Sequence, residues 1–498
     1  MRDDARVSSH PVHQPVANEL QAANVFDAIT YNKGQAILRM FEGYLGPDVF
    51  RDGIRRYLRA RAYSNATATD LWNALSAASG GDVDALAHDW TEQTGYPLVT
   101  VTSSCEGGAR SIALAQTRFL LHGTQGTATR WRVPLRVRAG TGEPQSVLFS
   151  DDGQRVPAGR CDEPLSLNAD AVGFYRVAYD AATQTVNARE FARLPDGDKI
   201  ALLDDNWALA LAGRVQLVSY LRLATSLGGD ADTRAWEQVA AALGTIEHAE
   251  RGASGHAAFA AVARAIVKPM ADRLGWDAGA DETPDVQELR RTLLGDLGAW
   301  GDAQVIAEAR RRFTAFQADP SAIRADDQAF ILGIVMRNGD AAAFEALHAI
   351  AKASHDDTAQ RRYYRALMRV RDPELAQRAA QVALSDEISP QAANTRINLV
   401  MGLADEHAPL AWATFRDNAD VLLATNPKYA PLITSQYVPE AMWEGAPLDQ
   451  LEAWIRSRVP AEMAPNVARG MEAARGRQAD KELLVPAADA YVSSPHAG

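Results

Sequence analysis

The sequence is poor in cysteine, short of basic residues and without long apolar runs. The two cysteines, Cys105 and Cys161, allow at most one bridge. Both fall in a stretch that reads as one β domain, so pairing is geometrically possible. Two unrelated thiols fit the sequence equally well, and a bridge would favour a periplasmic or secreted parent protein. Lysine and arginine number 51 against 63 acidic residues, a net charge of −12, which argues against nucleic acid as a partner. No apolar run approaches the roughly 18 residues of a membrane span. The opening MRDDARVSSHP is polar and lacks the apolar core of a signal peptide. If the sequence is a piece of a longer protein, any targeting signal of the parent lies elsewhere. None of the ten histidines is followed by Glu with a second His in register, so H-E-x-x-H, which sets two imidazoles on one helical face around a metal, is absent.

What is present is the make-up of a large globular protein: 498 residues, 47% hydrophobic and 23% charged. That length suggests about three domains. The stretch from Asn24 to Met40, NVFDAITYNKGQAILRM, reads as a helix buried on one side through Ile29, Ile37, Leu38 and Met40. Tyr31 precedes Asn32, Lys33 and Gly34, which sets a phenol beside a small residue where backbone or substrate could approach closely. A phenol is a good neutral donor to an oxyanion. An ordinary half-buried tyrosine with a satisfied hydroxyl fits the same pattern.

The rest of the chain changes character twice. Residues 1–96 read as helical, with Pro47 near one helix start and Thr69 or Asp70 capping the next, which ends at Gly80 and Gly81. Residues 97–185 alternate apolar and polar positions between turns such as Glu106-Gly107-Gly108 and Gly140-Thr141-Gly142, which suits a small β-sandwich. Phe119, Trp131, Phe174 and Tyr175 there read as core. Residues 186–498 are Ala-rich and helical, with turns or helix starts at Gly339-Asp340 and Asp372-Pro373. Loosely spaced helix pairs without a strict period suggest an α-solenoid like HEAT or armadillo repeats, trailing into a polar end after Glu482.

Five segments in order carry a family resemblance: SSHPV at Ser8–Val12, FDAITYNKGQAILRM, GPDVFRDGIRRYL, YSNATATDLWNAL and WTEQTGYPLVTV. Together they resemble the zinc aminopeptidases that include aminopeptidase N and puromycin-sensitive aminopeptidase. LNADAVGFYRVAYD and the helical stretch from Asp198 continue the likeness. The resemblance implies a fold that is multidomain and mainly α: the helical end of a thermolysin-like catalytic domain, a small β-sandwich, then a large solenoid-like helical domain. It implies that the intact enzyme removes N-terminal residues from peptides with zinc as cofactor, and that Tyr31 is the catalytic tyrosine stabilising the tetrahedral intermediate. The family's H-E-x-x-H and G-x-M-E-N segments are absent, so the chain resembles only the family's C-terminal half. The expectation is that it binds no metal through its own residues and is inactive alone, with peptides and a separate N-terminal half as partners. A noncatalytic helical-repeat module for peptide or protein interaction is the alternative.

Three further clusters have less chemical readings. His88 beside Asp89 has no second ligand at helical spacing and reads as a solvated or packing histidine. Glu247, His248 and Glu250 point different ways on a helix and read as a solvated helix end. Arg361, Arg362, Arg365, Arg369 and Arg371 sit with Tyr363 and Tyr364. That run reads mainly as salt-bridged surface, although it could receive a peptide's C-terminal carboxylate or acidic side chains.

Overall fold

A computed structural model describes residues 1–16, 27–122, 128–389 and 394–494. The opening of the tyrosine segment, Asn24 to Phe26, lies outside the described residues. The chain divides into two compact units, Met1–Val239 and Ala240–Gly498.

The first unit starts with irregular chain and one 3-10 turn, Asp3–Ala5, before the tyrosine segment. A single π-helical turn, Ile29–Lys33, runs directly into helix α1, Gly34–Leu45. Ile29, Ile37 and Met40 are buried as their spacing predicts, while Leu38 is only partly covered. Helix α2, Pro47–Ala60, carries Pro47 in its first turn, where a missing N–H costs no hydrogen bond. Helix α3, Ala68–Ser79, is capped by Thr67 rather than Thr69 or Asp70. Asp70 N–H donates to the Thr67 hydroxyl and Thr67 N–H to the Asp70 carboxylate, a reciprocal capping box. Gly80 closes α3 in the left-handed region at φ 74°. Helix α4, Val83–Thr91, then leads into the strands.

Among the described residues seven strands form two sheets. β1 (Pro97–Glu106), β2 (Ala109–Arg118), β5 (Arg155–Arg160) and β7 (Arg176–Ala178) are ordered β5-β2-β1-β7; β3 (Val133–Ala139), β4 (Gln145–Phe149) and β6 (Leu165–Ser166) are ordered β4-β3-β6. All pairings are antiparallel except β1 with β7. The sequence marks the β1–β2 hairpin because Gly107 and Gly108 both take positive φ, which costs glycine nothing. Inward-facing Val99, Val101, Ile112, Leu114, Leu135 and Val137 fill the sandwich, and Phe119, Trp131, Phe174 and Tyr175 are all core. Cys105 at the end of β1 and Cys161 just past β5 form a disulfide, Cα–Cα 6.0 Å, which resolves the choice that spacing leaves open.

Past β7 no strand occurs among the described residues. Helices α5 (Ala181–Glu190), α6 (Asp196–Leu211), α7 (Leu217–Thr225) and α8 (Thr233–Glu250) follow. In the second unit come α9 (His256–Leu274), α10 (Pro284–Ala299), α11 (Ala303–Ala318), α12 (Ala325–Arg337), α13 (Ala341–Ala353), α14 (Asp357–Leu367) and further helices. Alternate helices stack: α10 packs on α12 and α12 on α14, with α11 and α13 forming the flanking row. That is solenoid packing. The fold is therefore multidomain and mainly α, with a small β-sandwich ahead of a large helical solenoid.

Two expectations change here. The segment after Glu482 does not trail away as far as Val492: it belongs to a helix running Ala464–Val492, because Leu484, Ala488 and Tyr491 at helical spacing are buried, while residues 495–498 lie outside the described residues. The Glu247–Glu250 stretch is not solvated. Glu247 and Glu250 are buried, with Glu247 Oε1 2.8 Å from His256 Nε2 and Glu247 Oε2 3.1 Å from Arg251.

Candidate active-site face

The π turn that carries Tyr31 is anchored on both sides. Before it, His10 from the SSHPV loop places Nε2 2.6 Å from Asp27 Oδ2, and its Nδ1 lies 2.9 Å from the Pro11 carbonyl. Both ring nitrogens face acceptors, an arrangement the doubly protonated imidazole satisfies fully. Asp27 Oδ1 accepts from Thr30 N–H at 2.9 Å, and its carbonyl from Tyr31 N–H at 3.2 Å. Burial opposes Asp27's charge, but the hydrogen bonds from His10 and Thr30 prevail and hold its carboxyl below the usual range.

After Tyr31, Lys33 turns into the interior. Its ammonium, 1% exposed, meets Asp4 Oδ2 at 3.1 Å and donates to the carbonyls of Gln93 (3.1 Å) and Gly95 (2.9 Å). Asp4 in turn accepts from Gly95 N–H at 2.9 Å and from the Ser9 hydroxyl. Burial lowers the Lys33 pKa, and Asp4 opposes that shift. Between the two anchors Tyr31 stands 59% exposed, not half-buried. A π turn adds one residue to the helical repeat and so re-aims the side chains it carries. Ile29 and Lys33 point inward while Tyr31 and Asn32 face out.

A third anchor comes from the sandwich. Arg136 on β3 donates to the Gly43 carbonyl of α1 at 2.8 Å and pairs with Asp170 at 3.0 Å. Arg138 holds Asp170 and Asp198, each at 2.8 Å. Asn168 closes its loop on Gly173, accepting from Gly173 N–H at 2.7 Å. The LNADAVGFYRVAYD segment thus locks α1, the sandwich and α6 together. At the other end, Asp89 of α4 takes Arg132 in a two-pronged pair, Nε–Oδ2 2.7 Å and Nη2–Oδ1 3.0 Å. His88 beside it is exposed, as its lack of a partner ligand at helical spacing suggests.

Of the residues singled out in the sequence, the structure brings the SSHPV loop and the tyrosine turn together and joins both to the start of β1. It sets Arg361, Arg362, Arg365 and Arg369 around a separate cleft in the second unit. Sequence reasoning missed the Lys33–Asp4 and His10–Asp27 pairs. The only signal was a lysine in a segment otherwise rich in apolar residues, and the partners lie far apart in sequence: Lys33 is 29 positions from Asp4, and His10 is 17 from Asp27. Among the described residues no group of three His, Cys, Asp or Glu side chains is placed to hold a metal ion. H-E-x-x-H is also missing from the sequence, so the described residues do not fit a catalytic zinc site. Among the described residues no helix is long and apolar enough to cross a membrane.

Comparison with known proteins agrees with this organisation. Residues 165–476 match the ERAP1-like C-terminal domain, and residues 1–90 the peptidase family M1 domain. Aminopeptidase M1-A of Oryza sativa subsp. japonica is 30% identical over 496 residues, covering 95% of this chain and 55% of the relative. Aminopeptidase M1 of Arabidopsis thaliana is 30% identical over 443 residues, 83% of this chain and 49% of the relative. Puromycin-sensitive aminopeptidase of Caenorhabditis elegans is 29% identical over 357 residues, 69% of this chain and 37% of the relative. The chain spans about half the length of the first two of these relatives.

Proposed function

This chain belongs to the M1 aminopeptidase family and carries its ERAP1-like C-terminal domain, and we propose that Tyr31 supplies the oxyanion donor of a peptide-trimming enzyme. The observation that carries the reading is the π turn, held from both sides by buried or half-buried ion pairs, that presents one phenol outward. As a nucleophile adds to a peptide carbonyl, charge collects on the oxygen. A neutral phenol O–H held in place lowers the energy of that state without reorganising. The two anchors would hold the donor in position through the step.

Zinc, the cofactor of the family, would be held by residues outside this sequence, so the chain alone is expected to be inactive and to need the family's N-terminal catalytic half. Peptides would be the substrates of the joined enzyme. The disulfide fits an oxidising compartment such as the periplasm or the exterior of the cell.

The test joins this chain to an N-terminal M1 half, in trans or as a fusion, and follows hydrolysis of an amino-acid anilide. The expected result is activity and zinc uptake only in the joined protein. In that protein Tyr31→Phe lowers kcat on the order of 100–1,000-fold with KM little changed. Turnover and stoichiometric zinc in the chain alone, or full activity in Tyr31→Phe, would overturn the reading.

A further inference from the structure

Within the second unit, one face of the α10–α12–α14 row opens into a cleft of about 810 Å³. Its charge is opposite to that of the protein as a whole. Six arginines line it: Arg291 from α10, Arg337 from α12, Arg361, Arg362 and Arg365 from α14, and Arg369 just beyond. The one acidic side chain in the lining is Asp296. In a chain of net charge −12, such a concentration of guanidinium groups is locally unfavourable unless something neutralises it.

Part of the neutralisation is internal. Arg369 pairs with Asp405 at 2.6 Å, Arg337 pairs with Asp405 and Glu406, and Arg291 meets Glu288 at 3.2 Å and Asp327 at 3.6 Å. For the three arginines of α14 it is missing. Arg361, Arg362 and Arg365 have no carboxylate within ion-pair distance among the described residues. Arg362 donates instead to the neutral Gln328 Oε1 at 2.6 Å, and Arg361 approaches the Thr358 hydroxyl at 3.5 Å. Asp356, whose charge acts on Arg361 and Arg362, is occupied as the cap of α14, accepting from Thr358 N–H (2.8 Å) and Ala359 N–H (3.2 Å).

We propose that this cleft binds a small polyanion bearing two or more phosphate or carboxylate groups, held by Arg361, Arg362 and Arg365. Residues four apart on a helix are separated by about 6 Å along its axis, so Arg361 and Arg365 offer two planar forks one helical turn apart. Each fork matches a phosphate or carboxylate in a two-pronged hydrogen bond. A single phosphate reaches one fork, and an oligophosphate or tricarboxylate reaches both. Burial pushes the Asp296 carboxyl up to about 7, against the pull of Arg337, which weakens the one repulsive charge in the lining near neutral pH. This binding does not depend on the peptidase reading, because it uses no residue of the Tyr31 face.

The experiment is isothermal titration of the full chain with tripolyphosphate, with citrate and with tetraglutamate, at low and at physiological salt. The expected result is one tripolyphosphate or citrate per chain, with affinity that falls as salt rises. Which of the two binds tells a phosphorylated ligand from a polycarboxylate. Arg361→Gln with Arg365→Gln should weaken binding by about tenfold for each arginine removed. Arg311→Gln, which removes an exposed arginine paired with Glu308 on α11, should leave it unchanged. Thermal melting of each variant without ligand checks that it is folded. Absence of binding by both small anions, equal binding by the double variant, or tighter binding of tetraglutamate than of either anion would overturn the proposal.

Discussion

Lys33 shows how one residue ties the sequence to the site. A lysine ammonium taken out of water is costly unless an opposite charge and hydrogen-bond acceptors replace the solvent, and here Asp4 and two carbonyls do so. Removing one partner strands the other. Lys33→Met is expected to cost about 3–5 kcal/mol, and Lys33→Met combined with Asp4→Asn should recover part of that loss, since the double change leaves no unpaired buried charge. Urea unfolding of the two variants beside the parent checks this; a double variant no more stable than the single would refute the account. His10 and Asp27 do comparable work at the half-exposed side of the turn. Asp27's carboxyl lies below its ordinary value, so its contribution is complete above the unfolded pKa near 3.8 and is lost as pH falls through the lower folded value.

Among the elements, boundaries followed local chemistry wherever a cap or turn residue sets them. Pro47, Gly80 and the Gly107-Gly108 hairpin stand where the sequence places them, because each answers to a backbone requirement within a few residues. Thr67 was hidden because Thr69 and Asp70 are equally good caps by composition, and only the reciprocal bond with Asp70 selects it. The burial of Glu247 and Glu250 was hidden too: Arg251 and His256, the partners of Glu247, are near in sequence, but whether a helix end is covered depends on how distant helices pack against it. Glu444 illustrates how such helices are joined. It lies 3.1 Å from His248 of α8 and 2.6 Å from Lys481 of the closing helix. Burial opposes its charge, but these hydrogen bonds outweigh it and hold the carboxyl at about 2, down from 4.5. A depressed acid stabilises above its unfolded pKa and loses that contribution as pH falls through its folded value. Between about pH 4.5 and 2 the parent should therefore lose stability that Glu444→Gln lacks at every pH, and the two acid unfolding profiles should converge near pH 2. Parallel profiles across that range would show that Glu444 does not join the helices in this way.

At the scale of the molecule, the disulfide between Cys105 and Cys161 closes a loop across most of the sandwich, the two cysteines lying 56 positions apart. Cross-linking a loop of that size restricts the unfolded chain by about 4 kcal/mol on loop-closure reasoning, with about 2–4 kcal/mol typical of real proteins. Reduction, or Cys105→Ser with Cys161→Ser, should lower stability toward denaturant by that amount. The parent kept under reducing conditions should match the double variant. A parent indifferent to reductant would mean that the bridge adds nothing to stability.

Motifs made of neighbouring residues were open to reading from the sequence alone. The order of tyrosine helix, sandwich and helical array, the core aromatics, most turn residues and the family itself follow from patterns a few residues long, because hydrophobic period and turn chemistry act locally. Only the tertiary structure decided the partners of Lys33 and His10, the pairing of the cysteines, the burial of Glu247 and Glu250, and the gathering of arginines from α10, α12 and α14 around one cleft. Each depends on which distant segments meet. That is set by how whole helices and sheets bury their apolar faces, and a buried charge takes whichever partner that packing brings within reach.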